Sequence, residues 1–370
     1  MIYICKSVNF TNDKTYKDFI DTVKEVNQKG YDYLYVKGEA YSDSDKENFF
    51  HSMIEINALA EVPVIVEFPL THFEDMKKLY YANSSLIVSS EGTTLDDSVI
   101  EDGKKRFGEK LIISVKDFVV KTSDELLASS SDNKDSYVLI NEDTDVFALK
   151  DSLNSKGYET KSLKPAYSWD ELKKNEDGLV PVIVIDYKTD KILMMAYMNE
   201  AAYYNTFKTG LMNYYSRSRK SQWIKGETSG HFQYVKSMKA DCDMDTLLAS
   251  VSQIGVPCHT GKDTCFFNDV LKDESVQKNP SKILTDLYKV IEDRKVNPKE
   301  GSYTNYLFDK GLDKILKKVG EEACEIVIAS KNEEPKEIKY EIADFLYHLS
   351  VLMVEKNVTW EEVAEELSKR

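Results

Sequence analysis

The pattern of apolar and polar positions changes along the chain, and its first part predicts alternating strands and helices. Short apolar runs at Tyr33–Val36, Pro63–Phe68 and Leu86–Val88 alternate with stretches of helical spacing, such as Lys46–Leu59 and Phe73–Tyr81. Short runs rich in β-branched and aromatic residues are typical of buried strands, and their alternation with helices favours a parallel sheet. Residues 1–163 are therefore predicted to form an α/β domain, either an open parallel sheet or part of a barrel.

The last part of the chain has a different pattern, with apolar residues at helical spacing throughout. Helices are predicted at Ile283–Ile291, Leu312–Ser330, Pro335–Glu355 and Trp360–Leu367, with a turn at Gly301–Thr304. Four amphipathic helices of this length predict a small all-α bundle, which we expect to be completed by dimerisation.

Two boundaries divide the chain into three predicted domains. The polar stretch Leu271–Ser281 reads as a linker, and Lys156–Trp169 is a weaker boundary with Gly157 and Pro165 as breakers. The predicted domains are residues 1–163, 164–272 and 281–370, which makes the protein a multidomain chain.

Charge and composition exclude several classes of partner. The net charge of −15 over 370 residues argues against a nucleic-acid or anionic-membrane surface. Met1–Lys6 does not begin the apolar region of a signal peptide, and no stretch is apolar for the length of a membrane span. Together with only five cysteines, this predicts a cytoplasmic protein in a reduced setting, with small molecules as its substrates.

The segment Asp241–Phe266 combines two sets of metal ligands. They are the cysteines Cys242, Cys258 and Cys265 and the aspartates Asp241, Asp243 and Asp245. Thiolates suit Zn²⁺, and three of them leave one tetrahedral position open, as in catalytic zinc sites that lower the pKa of a bound water. Alternate aspartates would face one side of an extended strand, where their like charges need a cation such as Mg²⁺. Buried cysteines beside a solvated acidic loop are the alternative.

The residues upstream of this segment carry a family resemblance. The stretches Leu193–Glu200, Tyr215–Arg219 and Trp223–His231, with Asp-Cys-Asp and Pro-Cys-His-Thr-Gly, resemble phosphoribosyl-AMP cyclohydrolase from about Gly178 to Asn268. Tyr215 departs from the Trp usual in the family. The resemblance implies a mostly-β α+β domain that opens the adenine ring of phosphoribosyl-AMP, with zinc ligands shared across a homodimer.

Roles for further residues of this domain follow from the resemblance and from side-chain chemistry. His259 is the candidate proton shuttle, because it lies beside a zinc ligand and imidazole is the side chain whose unperturbed pKa is near neutral, although a supporting structural role is the alternative. The expected contacts to phosphate or base are Arg217, Arg219, Trp223, Lys225, Thr228, Ser229 and Gly230.

Carboxylates interrupt the apolar runs of the C-terminal helices. Glu322 with Glu325, and Glu341 with Asp344, are i, i+3 pairs, so each pair shares one helical face. Charge spacing alone favours solvated helix faces. However, Lys317–Glu325 and Glu341–His348 resemble phosphoribosyl-ATP pyrophosphatase, whose ExxE and ExxD motifs fall on these four residues.

This second resemblance covers about Leu284–Leu367 and implies a Mg²⁺ cluster that binds a nucleoside polyphosphate. Glu321 is a further candidate ligand, Lys317 and Lys318 are candidate phosphate contacts, and His348 reads equally as a packed core residue. The order of the two resemblances matches fused enzymes of histidine biosynthesis. They imply cleavage of phosphoribosyl-ATP to phosphoribosyl-AMP and pyrophosphate, followed by ring opening.

The sequence leaves two alternative functions and the role of the N-terminal domain undecided. One alternative is a nucleotide-cleaning pyrophosphohydrolase fused to a zinc deaminase-like domain, and another is a metal-stabilised dimerisation scaffold. The N-terminal domain faintly resembles half-barrels of the histidine-pathway (β/α)8 enzymes. It lacks their aspartate in Ile2–Lys6 and their glycine-rich loop at Glu67–Thr71. We interpret it as a non-catalytic relic or interaction module, with a regulatory ligand-binding domain as the alternative.

Overall fold

The computed structural model of the chain describes residues 1–11, 13–39, 42–90, 93–108, 112–114, 118–128, 136–140, 142–271, 282–332 and 335–368. The chain divides into two compact units, Met1–Asn268 and Asp269–Arg370. The predicted linker Leu271–Ser281 lies outside the described residues from residue 272 onward. In the described ranges, no helix combines the length and the apolar character that a membrane span requires.

The first unit begins with a parallel sheet. Its strands are β1 (Ile2–Phe10), β2 (Tyr33–Gly38), β3 (Val64–Phe68), β4 (Leu86–Ser89), β5 (Ile112–Ser114), β6 (Phe118–Val120) and β7 (Ser136–Ile140). The helices between them are α1 (Ile20–Gln28), α2 (Asp43–Leu59), α3 (Phe73–Tyr81), α4 (Asp97–Phe107) and α5 (Ser123–Ala128), and α6 (Val146–Ser155) follows β7.

The order of these strands is that of a barrel opened on one side. Strands run in the order β5-β4-β3-β2-β1-β7-β6, so β5 and β6, which are neighbours in sequence, form the two edges of the described sheet. One face packs Cys5, Tyr35, Ile65, Val88 and Leu139 together, and the other face packs on the helices. The predicted parallel sheet of half-barrel type is therefore confirmed. The sequence of Ser136–Leu163 also predicts a strand–helix–strand unit. Its first strand and helix are present as β7 and α6, but the last strand is wrong, because Thr160 forms only an isolated bridge to Ile2.

A mixed sheet follows in the same unit. Its strands β8 (Val180–Asp186), β9 (Ile192–Met198), β12 (Gln233–Ala240) and β13 (Leu247–Gln253) are arranged in the order β12-β13-β8-β9, with β8 parallel to β13. Helix α7 (Glu200–Thr209) and the hairpin of β10 (Asn213–Ser216) and β11 (Ser221–Ile224) lie between β9 and β12 in sequence. Buried apolar residues from Trp169 to Val251 form the core under this sheet.

The second unit contains only helices among its described residues. They are α8 (Ile283–Val296), α9 (Tyr303–Lys310), α10 (Leu312–Ala329), α11 (Pro335–Lys356) and α12 (Trp360–Ser368). The four predicted helices are present, but the turn predicted at Gly301–Thr304 is wrong in part, because α9 begins at Tyr303. Ser302 caps this helix by accepting the Asn305 backbone N–H at 3.4 Å. The core contains Ile291, Leu307 and Val351.

Candidate functional site

The aspartates Asp241, Asp243 and Asp245 lie in the turn that joins β12 to β13. The expectation of an extended strand is wrong, because Asp241 Oδ1 accepts the backbone N–H groups of Asp245 (3.0 Å) and Thr246 (3.2 Å) and closes the chain on itself. The left-handed backbone of Met244 (φ 67°) completes the turn. Oxygen atoms of the three aspartates nevertheless lie within 4.8 Å of one another, all on exposed side chains. We call Asp241–Asp245 the acidic turn.

Two of the three predicted zinc-binding thiols lie together. Cys258 is buried, and its Sγ is 3.1 Å from the Thr260 hydroxyl, whose hydrogen bond lowers the pKa of the thiol. Cys265 lies against Cys258, and partial burial and then this neighbouring thiol raise its pKa. The Cys265 N–H donates to the Leu193 carbonyl at 2.7 Å, which ties the loop to β9. The pair is thus fixed on the mixed sheet.

Cys242 does not join this pair. It is exposed in the acidic turn, and the three thiols do not form a group within 4.8 Å in the described part of the chain. Thiolates around one zinc at about 2.3 Å each lie roughly 4 Å apart, so a single chain brings together only part of the predicted set. His259 has an exposed side chain and directly follows Cys258.

Lys225 is a predicted substrate contact whose charge interacts with the thiol pair. It is only 9% exposed, and burial lowers its pKa while the neighbouring Cys265 and Cys258 oppose that shift. Arg217 and Arg219 are exposed. The guanidinium carbon of Arg217 is 4.0 Å from the ring centroid of Tyr197, and that of Arg219 is 5.9 Å from the ring centroid of Trp223. These side chains place positive charge and flat aromatic surface on one part of the domain.

The predicted contacts Thr228, Ser229 and Gly230 occupy an exposed turn. The Gly230 N–H donates to the Gly226 carbonyl at 2.7 Å. Gly226 has φ 95°, and a Cβ there would lie 2.5 Å from the backbone nitrogen of Phe232, so only glycine fits. The turn leaves the side chains of Thr228 and Ser229 exposed, while the Gly230 N–H is used within the turn.

His231 is a structural contributor that the sequence did not reveal. Its Nδ1 is 2.9 Å from the carbonyl oxygen of Val256, just before Cys258. A Cβ on Gly255 would lie 2.6 Å from the imidazole ring, so the ring packs directly on this backbone. His231 therefore supports the loop that carries the thiols. No spacing rule could have found it, because its partner is a main-chain carbonyl.

A second carboxylate group is assembled from α10 and α11. Oxygen atoms of Glu322, Glu325 and Glu341 lie within 4.8 Å of one another. Glu322 is buried and pairs with Lys318 at 2.8 Å. Among the described residues, Glu341 Oε2 is buried and has no hydrogen-bond partner, and burial together with the adjacent Glu325 raises the pKa of this carboxyl group. Three converging carboxylates with an unsatisfied oxygen fit a hard cation.

Other predicted members of this site lie at its edge. Asp344 is outside the 4.8 Å group, although its charge contributes to the raised pKa of Glu341. Glu321 is also outside the group and pairs with Lys318 at 3.1 Å and Lys317 at 3.4 Å. These two lysines therefore lie beside the carboxylates, as a phosphate-binding role requires.

His348 and Tyr303 connect to the same group and extend it beyond the predicted residues. The buried His348 has its Nδ1 2.9 Å from the carbonyl oxygen of Asp344 and 3.5 Å from Glu322 Oε1. Its Nε2 is 3.2 Å from the Tyr303 hydroxyl. Both ring nitrogens of His348 are therefore engaged in polar contacts. Tyr303 was missed because it lies where the sequence predicted a turn.

Two family models match separate parts of the chain. The model of the phosphoribosyl-AMP cyclohydrolase family matches residues 194–267, and the model of the phosphoribosyl-ATP pyrophosphohydrolase family matches residues 284–370. The first match contains the acidic turn and the thiols, and the second contains the carboxylates of α10 and α11.

Curated relatives named histidine biosynthesis bifunctional protein HisIE match about half of this chain over nearly all of their own length. The histidine biosynthesis bifunctional protein HisIE of Thermoanaerobacter pseudethanolicus is 52% identical over 209 residues, which are 53% of this chain and 97% of that protein. The Bacillus subtilis protein of the same name is 47% identical over 201 residues, 54% of this chain and 95% of its own. A dihydropteroate synthase structure from Coxiella burnetii aligns with 42% of this chain and 93% of its own, at 10% identity and a TM-score of 0.30, which is too low to support an argument.

Proposed function

Since this chain belongs to the family of histidine biosynthesis bifunctional proteins HisIE, we propose how its two reactions are divided between the side chains described above. The protein hydrolyses phosphoribosyl-ATP to phosphoribosyl-AMP and pyrophosphate, and then opens the adenine ring of phosphoribosyl-AMP. Enzymes of these families use metal ions. The identity of each metal and the role of each residue are our assignments.

The carboxylates of α10 and α11 are assigned to pyrophosphate release. Glu322, Glu325 and Glu341, with Asp344 beside them, would hold Mg²⁺, which when bound neutralises and orients a polyphosphate. The observation that supports this assignment best is the buried, unpartnered Oε2 of Glu341 beside two further carboxylates. Such an arrangement is unfavourable without a cation.

The surrounding residues of this site bind and orient. Lys318 and Lys317 would bind phosphate oxygens, exchanging part of their pairing with Glu321 for the substrate. His348 and Tyr303 hold the Glu322 side of the group in place. Hydrolysis breaks the bond between the α and β phosphates; the oxygen of water joins one phosphorus, and its protons are shared between the two products.

The thiols and the acidic turn are assigned to ring opening. Cys258 and Cys265 would hold Zn²⁺ together with Cys242 from the second chain of a homodimer, and zinc when bound lowers the pKa of a coordinated water. Two thiols in contact and a third that stays outside their group support this sharing between chains. The acidic turn would hold Mg²⁺ near the substrate phosphate.

The chemistry of this step assigns roles to the remaining residues. Water oxygen joins C6 of the adenine ring, the bond between N1 and C6 breaks, and His259 transfers the proton to the nitrogen that leaves C6. Arg217, Arg219 and Lys225 would bind the phosphate and the ring, with Trp223 offering an aromatic face. Thr228, Ser229 and Gly230 would supply hydroxyl and backbone donors. The domain boundaries 164–272 and 281–370 would then separate the two reactions, with residues 1–163 outside both.

One experiment tests the whole assignment. The purified, chelator-treated protein is incubated with phosphoribosyl-ATP, and pyrophosphate and the ring-opened product are followed separately as Mg²⁺ and Zn²⁺ are returned. Mg²⁺ alone should restore pyrophosphate release, whereas ring opening should need both metals. Restoration of ring opening without zinc would contradict the thiol assignment. Release of ammonia would instead favour the deaminase-like alternative.

A further inference from the structure

Glu61, in the N-terminal part of the first unit, has an unusually well-fixed backbone. It lies between the end of α2 and the start of β3, where Asn27 makes two hydrogen bonds to the connection. The Asn27 side chain donates to the Leu59 carbonyl at 3.1 Å and accepts the Glu61 backbone N–H at 2.8 Å. The Glu61 carboxylate, only 13% exposed, therefore projects from a rigid point of the barrel-like domain.

This carboxylate joins two strands of the mixed sheet. Its Oε2 accepts from Lys236 Nζ on β12 at 2.7 Å, and its Oε1 accepts from the Ser252 hydroxyl on β13 at 2.6 Å. Both oxygens are thus occupied by groups of the domain that carries the thiols. A partly buried carboxylate with two hydrogen-bond partners stabilises a contact more than an exposed ion pair does, because water competes less for its oxygens.

Lys236 occupies a special position in β12. Val235 pairs with Val251 and Ser237 pairs with Ser250, so Lys236 is the extra residue of a β-bulge. A bulge offsets the pairing by one residue, and a one-residue slip would turn every following side chain to the opposite face. The strands beyond the bulge run to the pair Ala240 and Leu247, and the acidic turn closes them. The bulge therefore sets the orientation of the acidic turn.

The contact between the two domains is not close-packed around Glu61. A cavity of about 290 Å³ lies there, lined by residues that include Asn27, Glu61, Phe207 and Tyr234. Where apolar packing is loose, the alignment of the N-terminal domain with the mixed sheet depends on specific polar contacts such as those of Glu61. A second ion pair between the two domains joins Lys208 and Asp151 at 2.7 Å. Its side chains are more exposed, and it involves α7 rather than strands β12 and β13.

We propose that Glu61 is a positioning residue for ring opening: the N-terminal domain holds the bulge at Lys236 and thereby orients the acidic turn. This inference rests on the proposed role of the acidic turn in the cyclohydrolase reaction. It gives the N-terminal domain a task without placing any of its residues in contact with substrate. Small displacements of a binding group can lower a rate on the order of 100-fold, so a partial loss of this alignment is measurable.

The test uses full-length protein with the pyrophosphate reaction as an internal reference. Glu61→Ala removes the hydrogen bonds to both Lys236 and Ser252. Glu61→Gln keeps an acceptor for the Ser252 hydroxyl, and Lys236→Met removes the ammonium group that pairs with Glu61. Asp151→Ala is the matched control for a weakened domain contact. Each variant is assayed for ring opening of phosphoribosyl-AMP, for its half-saturating Mg²⁺ concentration in that reaction, and for pyrophosphate release.

We expect Glu61→Ala to lower ring opening about tenfold and to raise the half-saturating Mg²⁺ concentration, with pyrophosphate release unchanged. Lys236→Met and Glu61→Gln, which both leave a link to Ser252, should fall between the wild type and Glu61→Ala, and the Glu61→Ala/Lys236→Met double variant should be no worse than Glu61→Ala. Normal ring opening in Glu61→Ala, an equal loss in Asp151→Ala, or an equal loss of both activities would overturn the proposal. Asp243→Asn separates the two claims: normal ring opening in that variant refutes the assigned role of the acidic turn itself.

Discussion

The two candidate metal sites differ in how much of each a single chain assembles. In the helical unit, Glu322, Glu325 and Glu341 converge within one chain. In the first unit, Cys258 and Cys265 meet, but Cys242 lies outside their group in the described structure. The difference follows from the elements that carry the ligands. Helices bring residues three apart onto one face by their own geometry, whereas loops depend on whatever they pack against.

The same difference extends to the support around each site. The carboxylates are backed by Lys318 and by the buried His348, so their neighbours come from the same two helices and from Tyr303 on α9. The thiols and the acidic turn depend on distant contacts, with Leu193, with His231 and, through the bulge, with Glu61. The loop-built site should therefore be the more sensitive to changes far from its ligands.

The largest expected effect is the separation of the two reactions by Cys258→Ser. Loss of one thiolate should lower ring opening at least about 100-fold, since even residues that only support metal ligands cost up to that much. Pyrophosphate release should persist, so phosphoribosyl-AMP should accumulate. Zinc content and both products are measured.

Cys324→Ser is the matched control, because this exposed thiol on α10 makes the same atomic change outside the thiol site. It should keep normal ring opening. Full ring opening by a Cys258→Ser protein that contains no zinc would show that the thiol site is not catalytic.

The mirror experiment is Glu322→Ala. Removing this buried carboxylate should lower pyrophosphate release about 10- to 100-fold by weakening the cation site, and should leave ring opening of supplied phosphoribosyl-AMP intact. Release of pyrophosphate at a series of Mg²⁺ concentrations is the measurement. Glu292→Ala, an exposed change on α8, is the control. If both variants release pyrophosphate normally, the carboxylates belong to a solvated helix face and take no part in the reaction.

A smaller but more diagnostic effect is expected from mixing two inactive variants. If Cys242 comes from the partner chain, a heterodimer of Cys242→Ser and Cys258→Ser contains one intact site and one doubly altered site. Random exchange of equal amounts should therefore restore about a quarter of wild-type ring opening. The mixture is denatured together, refolded with zinc and assayed, with each variant refolded alone as control. Absence of any recovery despite proven heterodimers would place all three thiols in one chain.

The sequence predicted best what depends on local periodicity. The α/β alternation, the four C-terminal helices and the i, i+3 carboxylate pairs could all be predicted, because 3.6- and 2-residue periods fix which side chains share a face. Residue type made Cys258 and Cys265 candidate metal ligands, and that assignment stays a prediction. Their contact required the fold.

The failures have physical causes. The acidic turn was expected to be a strand, but Asp241 satisfies backbone N–H groups in a turn, which competes with extended structure. Helix α9 was missed because Gly301 and Ser302 suggested a turn, while Ser302 in fact caps the helix. Glu61 and Lys236 are 175 positions apart, and nothing local in the sequence links them.

The smallest expected effect concerns the pH dependence of local stability in α10 and α11. Burial and the adjacent Glu325 raise the pKa of Glu341 above its ordinary value of 4.5. The folded metal-free protein therefore binds this proton more tightly than the unfolded chain does, and the associated stability is lost as pH rises above about 4.5. Glu341→Gln cannot ionise. Its helices should become more protected than those of the wild type as pH increases through this window, and equally protected below it.

Amide hydrogen exchange of α10 and α11, with both proteins compared at the same pH, measures this difference because the intrinsic exchange rates cancel. Above pH 4.5, saturating Mg²⁺ should make the wild type better protected than Glu341→Gln. The wild type then gains a bound cation, which the side-chain amide of the variant binds poorly. Glu361→Gln, the same chemical change at an exposed position on α12, is the control and should respond to neither pH nor Mg²⁺ in this way. A wild-type protein that is better protected than Glu341→Gln without metal would mean that the carboxylates repel one another too weakly to require a cation.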